Sequence, residues 1–238
     1  MVSLVRDELI ARSPLRILEQ SISGGLGKGN LGVLASRKGV GKTACLVHIA
    51  VDQLFQGRSV IHVSYASRVD YIMAWYEDIF KEIAKKPGMK AALDVHDEVV
   101  RRRVIMSFKQ DATRTEQVLR SLEAMIVHGQ FPAEAVIVDG YEFAQAGPDD
   151  LRKFKDFAVR LGLEVWFSAS LRGEEPLFDD QGVPRELKDW LGVIDVLVSL
   201  RHHEDHVHFA LVQDHGRLSP KVLRLSLDPK TLLIARKR

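Results

Sequence analysis

A short glycine-rich segment between two apolar runs carries the clearest chemical pattern in the sequence. Gly39, Gly41, Lys42 and Thr43 occur within the run Ser-Arg-Lys-Gly-Val-Gly-Lys-Thr. Glycines let consecutive backbone N–H groups curl around a polyphosphate, a lysine reaches the outer phosphates, and a hydroxyl holds magnesium. A helix that begins at this point also favours an anion at its N-terminus. The segment is therefore predicted to bind the phosphates of a nucleotide.

The predicted nucleotide contacts extend over the whole segment. We expect them from Ser36, Arg37, Lys38, Gly39, Val40, Gly41, Lys42, Thr43 and Ala44. The match to a phosphate-binding loop is imperfect, because the usual pattern has a glycine where this chain has Ser36. Serine is small enough for most of such a loop, so the departure weakens the match without removing it. A lysine-rich turn before an ordinary helix is the weaker alternative, since an apolar strand precedes the segment and an apolar helix follows it.

A magnesium ion bound beside the phosphates needs a second oxygen ligand, usually an acid at the end of a neighbouring buried strand. Asp139 ends the apolar run Ala-Val-Ile-Val-Asp and fits this position. We predict that Thr43 and Asp139 bracket Mg²⁺. The alternative is an aspartate that merely begins the turn at Gly140.

Strands and helices alternate along the chain in an order that would bring these residues to one edge of a sheet. Apolar runs predict strands at residues 31–35, 59–65, 104–108, 135–139 and 164–170. Segments with apolar residues at helical spacing separate them, and Ser67 is expected to cap one of these helices. The alternation predicts an α/β fold with a mainly parallel central sheet flanked by helices.

The C-terminal part of the chain has a different pattern. Four short β-like runs between residues 193 and 238 are separated by turns that are too short for crossover helices. They predict antiparallel strands added to the edge of the sheet. We therefore expect one domain over residues 1–238, with a helical lead-in at 1–25 and an antiparallel extension at 193–238.

Composition limits the classes of protein that need consideration. The 238 residues are 46% hydrophobic, and the formal net charge is +2, so the overall charge does not favour nucleic acid or a membrane. Cys45, the single cysteine, excludes an intramolecular disulfide. Neither a signal peptide nor an apolar run long enough to span a bilayer is evident, so a cytoplasmic protein without a membrane partner is expected.

The order of these parts resembles the RecA-like ATPases, and within them the KaiC and DnaB-helicase branch. Residues 13–36 are similar to the glycine-rich lead-in of that branch, and the loop, Asp139 and the polar strand end at residues 168–170 follow in the family's order. The resemblance covers most of the chain. It implies a RecA-like P-loop fold, ATP and Mg²⁺ as ligands, and a homo-oligomeric ring or filament in which one subunit completes the site of the next.

One departure from the family concerns the residue that activates water. The family has a glutamate after the second strand, whereas this chain has Ala66 there and no carboxylate before Asp70. Loss of a general base predicts slow hydrolysis, because positioning the attacking water is worth orders of magnitude in rate. Glu142 and Asp70 are the two substitutes in the sequence. We take Lys42 and Glu142 as the predicted catalytic residues.

A second departure concerns a cation that acts between subunits. The family's late strand carries a Lys-x-Arg pair that reaches the neighbouring γ-phosphate, but Gln213 and His215 occupy the corresponding positions here. Arg217 alone, shifted in register, has the required charge. Losing a cation that stabilises the transition state also predicts weak turnover, or no functional ring.

The loop is also similar to the deviant phosphate loop of the MinD and ParA family. That family has a signature lysine early in the loop, and Arg37 occupies the matching position, followed by Lys38. Arg37 is expected either to contact phosphate or to remain a solvated cation. The glycine-rich lead-in and the β-rich C-terminus favour the RecA-like interpretation.

Two further clusters are more typical of solvated surface than of a site. A metal site and a solvated turn are the alternatives for the cluster His202, His203, Glu204, Asp205, His206 and His208. Arg101, Arg102 and Arg103 lack the interleaved aromatic residues of a nucleic-acid site. The polar segment from Arg172 to Pro184 is predicted to be a long surface loop, and its acids argue against phosphate contact there, namely Glu174, Glu175, Asp179 and Asp180.

Three functions remain open at this point. The first is a MgATP-binding protein with weak ATPase activity. The second is a nucleotide-sensing regulatory module that hydrolyses little and acts through a protein partner. The third, a DNA-dependent ATPase, is the weakest because the charge is balanced.

Overall fold

A nine-stranded sheet separates two layers of helices in the computed structural model, which describes residues 2–65, 68–86, 90–109, 114–173, 175–203 and 206–237. The helices are α1 (Val2–Arg12), α2 (Leu15–Ser21), α3 (Lys42–Phe55), α4 (Val69–Ala84), α5 (His96–Arg101), α6 (Thr115–Glu123) and α7 (Asp150–Leu161). The strands are β1 (Leu31–Arg37), β2 (Ser59–Ser64), β3 (Arg103–Ser107), β4 (Ala133–Asp139), β5 (Glu164–Leu171), β6 (Val196–His203), β7 (His206–Asp214), β8 (Arg217–Leu227) and β9 (Ile234–Arg236).

The strand order is β3-β2-β4-β5-β1-β6-β7-β8-β9. Every pairing from β3 to β6 is parallel, whereas β7, β8 and β9 are added as antiparallel strands. The predicted α/β class and mainly parallel sheet are therefore confirmed. The parallel strands are buried over much of their length, as expected for a sheet covered on both faces.

The predicted boundary of the antiparallel extension is wrong by one strand. β6 belongs to the last part of the chain but runs parallel to β1, with Gly32 opposite Val196. The connection from β5 to β6 includes a 3₁₀ turn at Arg185–Trp190 and is long enough for a crossover. The expected surface loop at residues 172–184 is thus part of a crossover that returns the chain to the parallel sheet.

Each face of the sheet has its own apolar core. Helices α1 to α5 and the strands β8 and β9 pack on one face. Their buried apolar side chains form one cluster, whose first and last members along the chain are Leu9 and Ile234. Helices α6 and α7 cover the other face, around Phe154 and Phe167. None of the helices in the described part of the chain has both the length and the apolar character needed to cross a lipid bilayer.

Local predictions at helix ends have mixed outcomes. The break at Ser13 and Pro14 does separate α1 from α2. Ser67, the expected cap of α4, lies outside the described residues, and Arg68 occupies the N-cap position in an extended conformation. The helical stripe that begins α6 continues as a π-helical turn at Ala124–His128.

Candidate functional site

The glycine-rich loop, residues 38–41, joins the end of β1 to the first turn of α3. Gly39 and Gly41 have φ values of 84° and 110°, in the left-handed region that glycine adopts without strain. A Cβ atom at Gly41 would lie 2.3 Å from Cδ2 of Leu227, a buried residue of β8. Gly41 is thus required by conformation and by space, and the C-terminal strands support the loop from behind.

The Lys42 side chain is buried beneath the loop. Its Nζ donates hydrogen bonds to the backbone oxygens of Ser36, at 3.1 Å, and Arg37, at 3.0 Å. Nζ also lies 3.3 Å from the Ser36 hydroxyl oxygen. Burial lowers the pKa of Lys42 to about 8, and the charge of Asp139 opposes this shift. A cation is therefore held at the centre of the loop, and the serine that departs from the usual pattern is one of the groups that hold it.

Thr43 and Asp139 meet as the sequence predicts. Thr43 Oγ1 donates a hydrogen bond of 2.8 Å to Asp139 Oδ2, and Ser168 Oγ donates one of 2.7 Å to Oδ1. Ser168 in turn accepts the N–H of Gly140 at 2.7 Å. The carboxylate of Asp139 is 3% exposed and is oriented from two sides. A hydroxyl and a carboxylate are oxygen ligands of the kind that Mg²⁺ takes, so the donor set fits the predicted metal.

A cleft of about 510 Å³, here called the central cleft, opens at the carboxyl ends of β1, β4 and β5. Its lining includes the polar residues Lys42, Thr43 and Asp139 and the apolar residues Trp75 and Leu232. Ligands of open α/β sheets bind at this edge, where the strands end. The remaining lining residues are Lys38, Gly39, Gly41, Ala44, Gly140, Tyr141, Glu142, Ser168, Ser170, Leu171 and Arg172.

Glu142, the predicted general base, lines the central cleft. Its side chain is 10% exposed and forms an ion pair with Arg172 Nη2. Sequence reasoning missed Arg172, which directly follows the end of β5. The position of a cation just after a strand that ends beside the loop is the signal that would have found it.

Several predicted residues lie away from the cleft. Arg37 is not among the lining residues of the cleft and pairs with Glu175 at 2.8 Å. Asp70 is exposed and pairs with Arg68 at 3.2 Å. Ser36 and Val40 support the loop and do not line the cleft. Ala66 lies outside the described residues.

Arg217 lies at the opposite end of the sheet. The turn before it is level with the start of β1, because Gly216 N donates to Asp195 O at 3.0 Å and Asp195 N donates to Leu31 O at 2.9 Å. The seven residues of β1 separate this turn from the loop by roughly 20 Å. Gln213 is buried and donates to the backbone oxygens of Leu191 and Ile194. Its role is to close the β6–β7 hairpin onto the preceding turn.

The other clusters have structural contacts. Arg102 Nη1 donates to Gly57 O at 2.7 Å, and the guanidinium of Arg103 lies 4.3 Å from the ring centre of Tyr76. Asp179 pairs with Lys188 at 2.8 Å. Glu174, Glu204 and Asp205 lie outside the described residues, so the histidine cluster is described only in part. Within the described ranges, no group of three or more His, Cys, Asp or Glu side chains is arranged to hold a metal ion.

Comparisons with known proteins add no assignment. Neither the models of known protein families nor the curated proteins include a match to this sequence.

Proposed function

We propose that the protein is a RecA-like P-loop protein that binds MgATP in the central cleft. The observation that carries the proposal is the arrangement of Lys42, Thr43 and Asp139. A buried ammonium lies under a loop of left-handed glycines, and a hydroxyl and a carboxylate meet beside it. This combination of cation, N–H groups and oxygen ligands suits a polyphosphate with its metal ion.

Each of these residues has a distinct task in the proposed site. The carbonyl oxygens of Ser36 and Arg37 hold the Lys42 ammonium in place for the outer phosphates. Thr43 and Asp139 would hold Mg²⁺, and Ser168 fixes the carboxylate orientation from behind. A bound magnesium ion supplies charge neutralisation for the β- and γ-phosphates. Trp75 and Leu232 provide an apolar wall on which a nucleobase can lie.

The sheet supports the RecA-like part of the proposal. A parallel sheet with helices on both faces, followed by antiparallel strands, is what the resemblance implies. The loop follows a central strand, β1, and Asp139 ends β4, which is separated from β1 by β5 alone. This arrangement brings the two ends to one cleft.

Weak ATPase activity is the reaction that these residues support. Among the described residues that line the cleft, Glu142 is the only acid besides Asp139, so it is the base available to a water molecule. Its ion pair with Arg172 ties up one carboxylate oxygen, and we therefore expect slow turnover. The same ion pair favours the second hypothesis, a regulatory module that binds ATP and signals to a protein partner with little hydrolysis.

A Lys42→Ala variant tests the site itself. The dissociation constant for MgATP should rise by at least a hundredfold, because a buried charge-assisted contact to phosphate is lost. Fluorescence of Trp75 in the cleft wall reports binding, and a Trp75→Phe variant identifies its share of the signal. Lys85→Ala is the matched control, since Lys85 is exposed and pairs with Glu82 on α4. Unchanged MgATP affinity in Lys42→Ala would rule out the proposed site.

Phosphate release distinguishes the two hypotheses. Steady hydrolysis that falls at least tenfold in Glu142→Gln supports the enzyme, whereas tight MgATP binding without phosphate release supports the regulatory module. The light-scattering mass of the same sample, with and without MgATP, reports whether nucleotide drives a second copy to bind. Salt-sensitive DNA binding that stimulates hydrolysis would instead favour the DNA-dependent ATPase.

A further inference from the structure

Arg172 and Glu142 form an ion pair in the lining of the central cleft. Arg172 directly follows Leu171, which lies opposite Arg37 in the β1–β5 register, so Arg172 is level with the first residue of the loop. Glu142 lies three residues after Asp139, the end of the neighbouring strand β4. Both side chains line the cleft that contains Lys42. A ligand that fills the cleft therefore meets this ion pair.

The side chains of the two partners differ in exposure and therefore in conformational freedom. The Arg172 side chain is 62% exposed, whereas the Glu142 side chain is 10% exposed. The backbone of Arg172 is anchored, because its N–H donates to Glu186 Oε1 at 2.8 Å. The Arg172 side chain can therefore change its conformation while its backbone stays anchored, whereas the buried Glu142 carboxylate is held in position. A guanidinium binds a phosphate with the same fork of donors that it offers to a carboxylate.

We propose that Arg172 exchanges Glu142 for the terminal phosphate of a bound nucleoside triphosphate, which makes it the residue that distinguishes a triphosphate from a diphosphate. This inference rests on the proposed nucleotide site. Lys42 and the loop would contact the β-phosphate of either nucleotide, whereas only a triphosphate has a γ-phosphate, which would lie within reach of both Lys42 and Arg172. Glu142 competes for the same cation, so it lowers the affinity for the triphosphate.

The test compares two ligands in four proteins. Dissociation constants are measured for the magnesium complexes of ADP and of a non-hydrolysable ATP analogue with nitrogen between its outer phosphorus atoms. The proteins are wild type, Arg172→Gln, Arg172→Lys and Arg160→Gln. Arg160 is a matched control, because it is exposed and forms a 2.7 Å ion pair with Glu123 away from the cleft. Thermal unfolding monitors whether each variant folds.

We expect Arg172→Gln to weaken binding of the triphosphate analogue about tenfold and binding of ADP by less than about twofold. The reason is that a partly exposed charged contact is lost for the triphosphate alone. Arg172→Lys should restore part of the difference, and Arg160→Gln should change neither constant. Equal weakening of both ligands, or of neither, would overturn the inference while leaving the nucleotide site in place. If wild type binds neither ligand, the proposed function fails and the inference fails with it.

Glu142→Gln provides a second, opposite readout. Removing the competing carboxylate should lower the dissociation constant of the triphosphate analogue relative to that of ADP, because Arg172 then does not have to leave the Glu142 carboxylate. This variant also keeps the inference testable if Arg172→Gln does not fold. An unchanged ratio of the two dissociation constants in Glu142→Gln would contradict partner exchange.

Discussion

Glycines of the loop meet two separate requirements, a positive φ and close packing against a neighbour, which the sequence pattern does not distinguish. Ser36 departs from the expected glycine, and its hydroxyl oxygen lies 3.3 Å from Lys42 Nζ. Gly39 and Gly41 both need a positive φ, but their surroundings differ. A Cβ at Gly39 would have no neighbour within 4 Å, whereas one at Gly41 would collide with Leu227. The loop is therefore open on its phosphate side and tightly packed against β8.

Alanine substitutions at the two glycines should separate these requirements. Gly39→Ala should lower the free energy of unfolding by about 1–2 kcal/mol, the cost of a left-handed conformation. Gly41→Ala should cost roughly 1–3 kcal/mol more, because Leu227 must leave its packed rotamer. Urea unfolding of both variants beside wild type measures the difference. Equal losses of stability would show that contact with β8 does not constrain the loop.

At the level of elements, a network of charged side chains around the buried Asp52 fixes α2 against α3. Asp52 on α3 is 4% exposed and accepts hydrogen bonds from Arg16 and, at 2.7 Å, from Gln56. Arg16 also pairs with Glu19 on its own helix, and burial raises the pKa of that carboxyl. Helix α2, which belongs to the predicted lead-in, is thus attached to α3, the helix that begins at the loop.

Removing Asp52 should test how strongly this network holds the lead-in. Asp52→Ala leaves the mostly buried Arg16 guanidinium with one carboxylate instead of two, so the free energy of unfolding should fall by about 3 kcal/mol. Glu123→Ala breaks an exposed ion pair with Arg160 and should cost less than about 1 kcal/mol. Denaturant unfolding of the two variants makes the comparison. A loss below 1 kcal/mol for Asp52→Ala would assign the attachment of α2 to apolar packing alone.

At the scale of the whole molecule, the last strand closes onto the helix that follows the loop. The N–H of Ile234 donates a 3.0 Å hydrogen bond to His48 Nδ1 on α3. His48 is 3% exposed, and one apolar cluster joins Leu9 near the start of the chain to Ile234 near its end. One apolar core therefore extends from α1 to β9.

The buried His48 gives the protein a specific dependence on pH. Burial, assisted by the charge of Lys86, lowers its pKa to about 3, whereas an unfolded histidine titrates near 6.5. The unfolded state therefore takes up a proton that the folded state does not between these values. The contribution of His48 to the free energy of unfolding is fully present above about pH 6.5. Below that pH the free energy of unfolding should fall by about 1.4 kcal/mol per pH unit. Arg12, Asp52 and Lys86 border the same small cavity as His48.

A His48→Asn variant isolates this contribution. An amide oxygen can still accept the Ile234 N–H but does not titrate. His62 is also buried with its pKa lowered to about 4, so wild type and variant both keep that second contribution. Free energies of unfolding measured from pH 7 to 4.5 should fall about 1.4 kcal/mol per pH unit less steeply in the variant. Parallel curves would show that His48 does not cause the acid sensitivity.

Much of the fold could be predicted because its signals are local. The runs that became β1, β2, β4 and β5 are apolar and short, and the helices between them repeat apolar residues at helical spacing. The strand β6 was misassigned, since a run of apolar residues does not record the direction in which a strand pairs.

By itself the sequence determined the residue types of the candidate site: Lys42 and Thr43 within one loop, and Asp139 at the end of a distant strand. These were recognisable because a phosphate loop is contiguous and its spacing is tied to its chemistry. The tertiary structure alone decided which other side chains join them. Arg172 lines the cleft because it directly follows the end of β5, whereas Arg37, which lies opposite Leu171, pairs with Glu175. Two arginines at adjacent strand ends look alike in the sequence, and only the packing around each one determines where its charge acts.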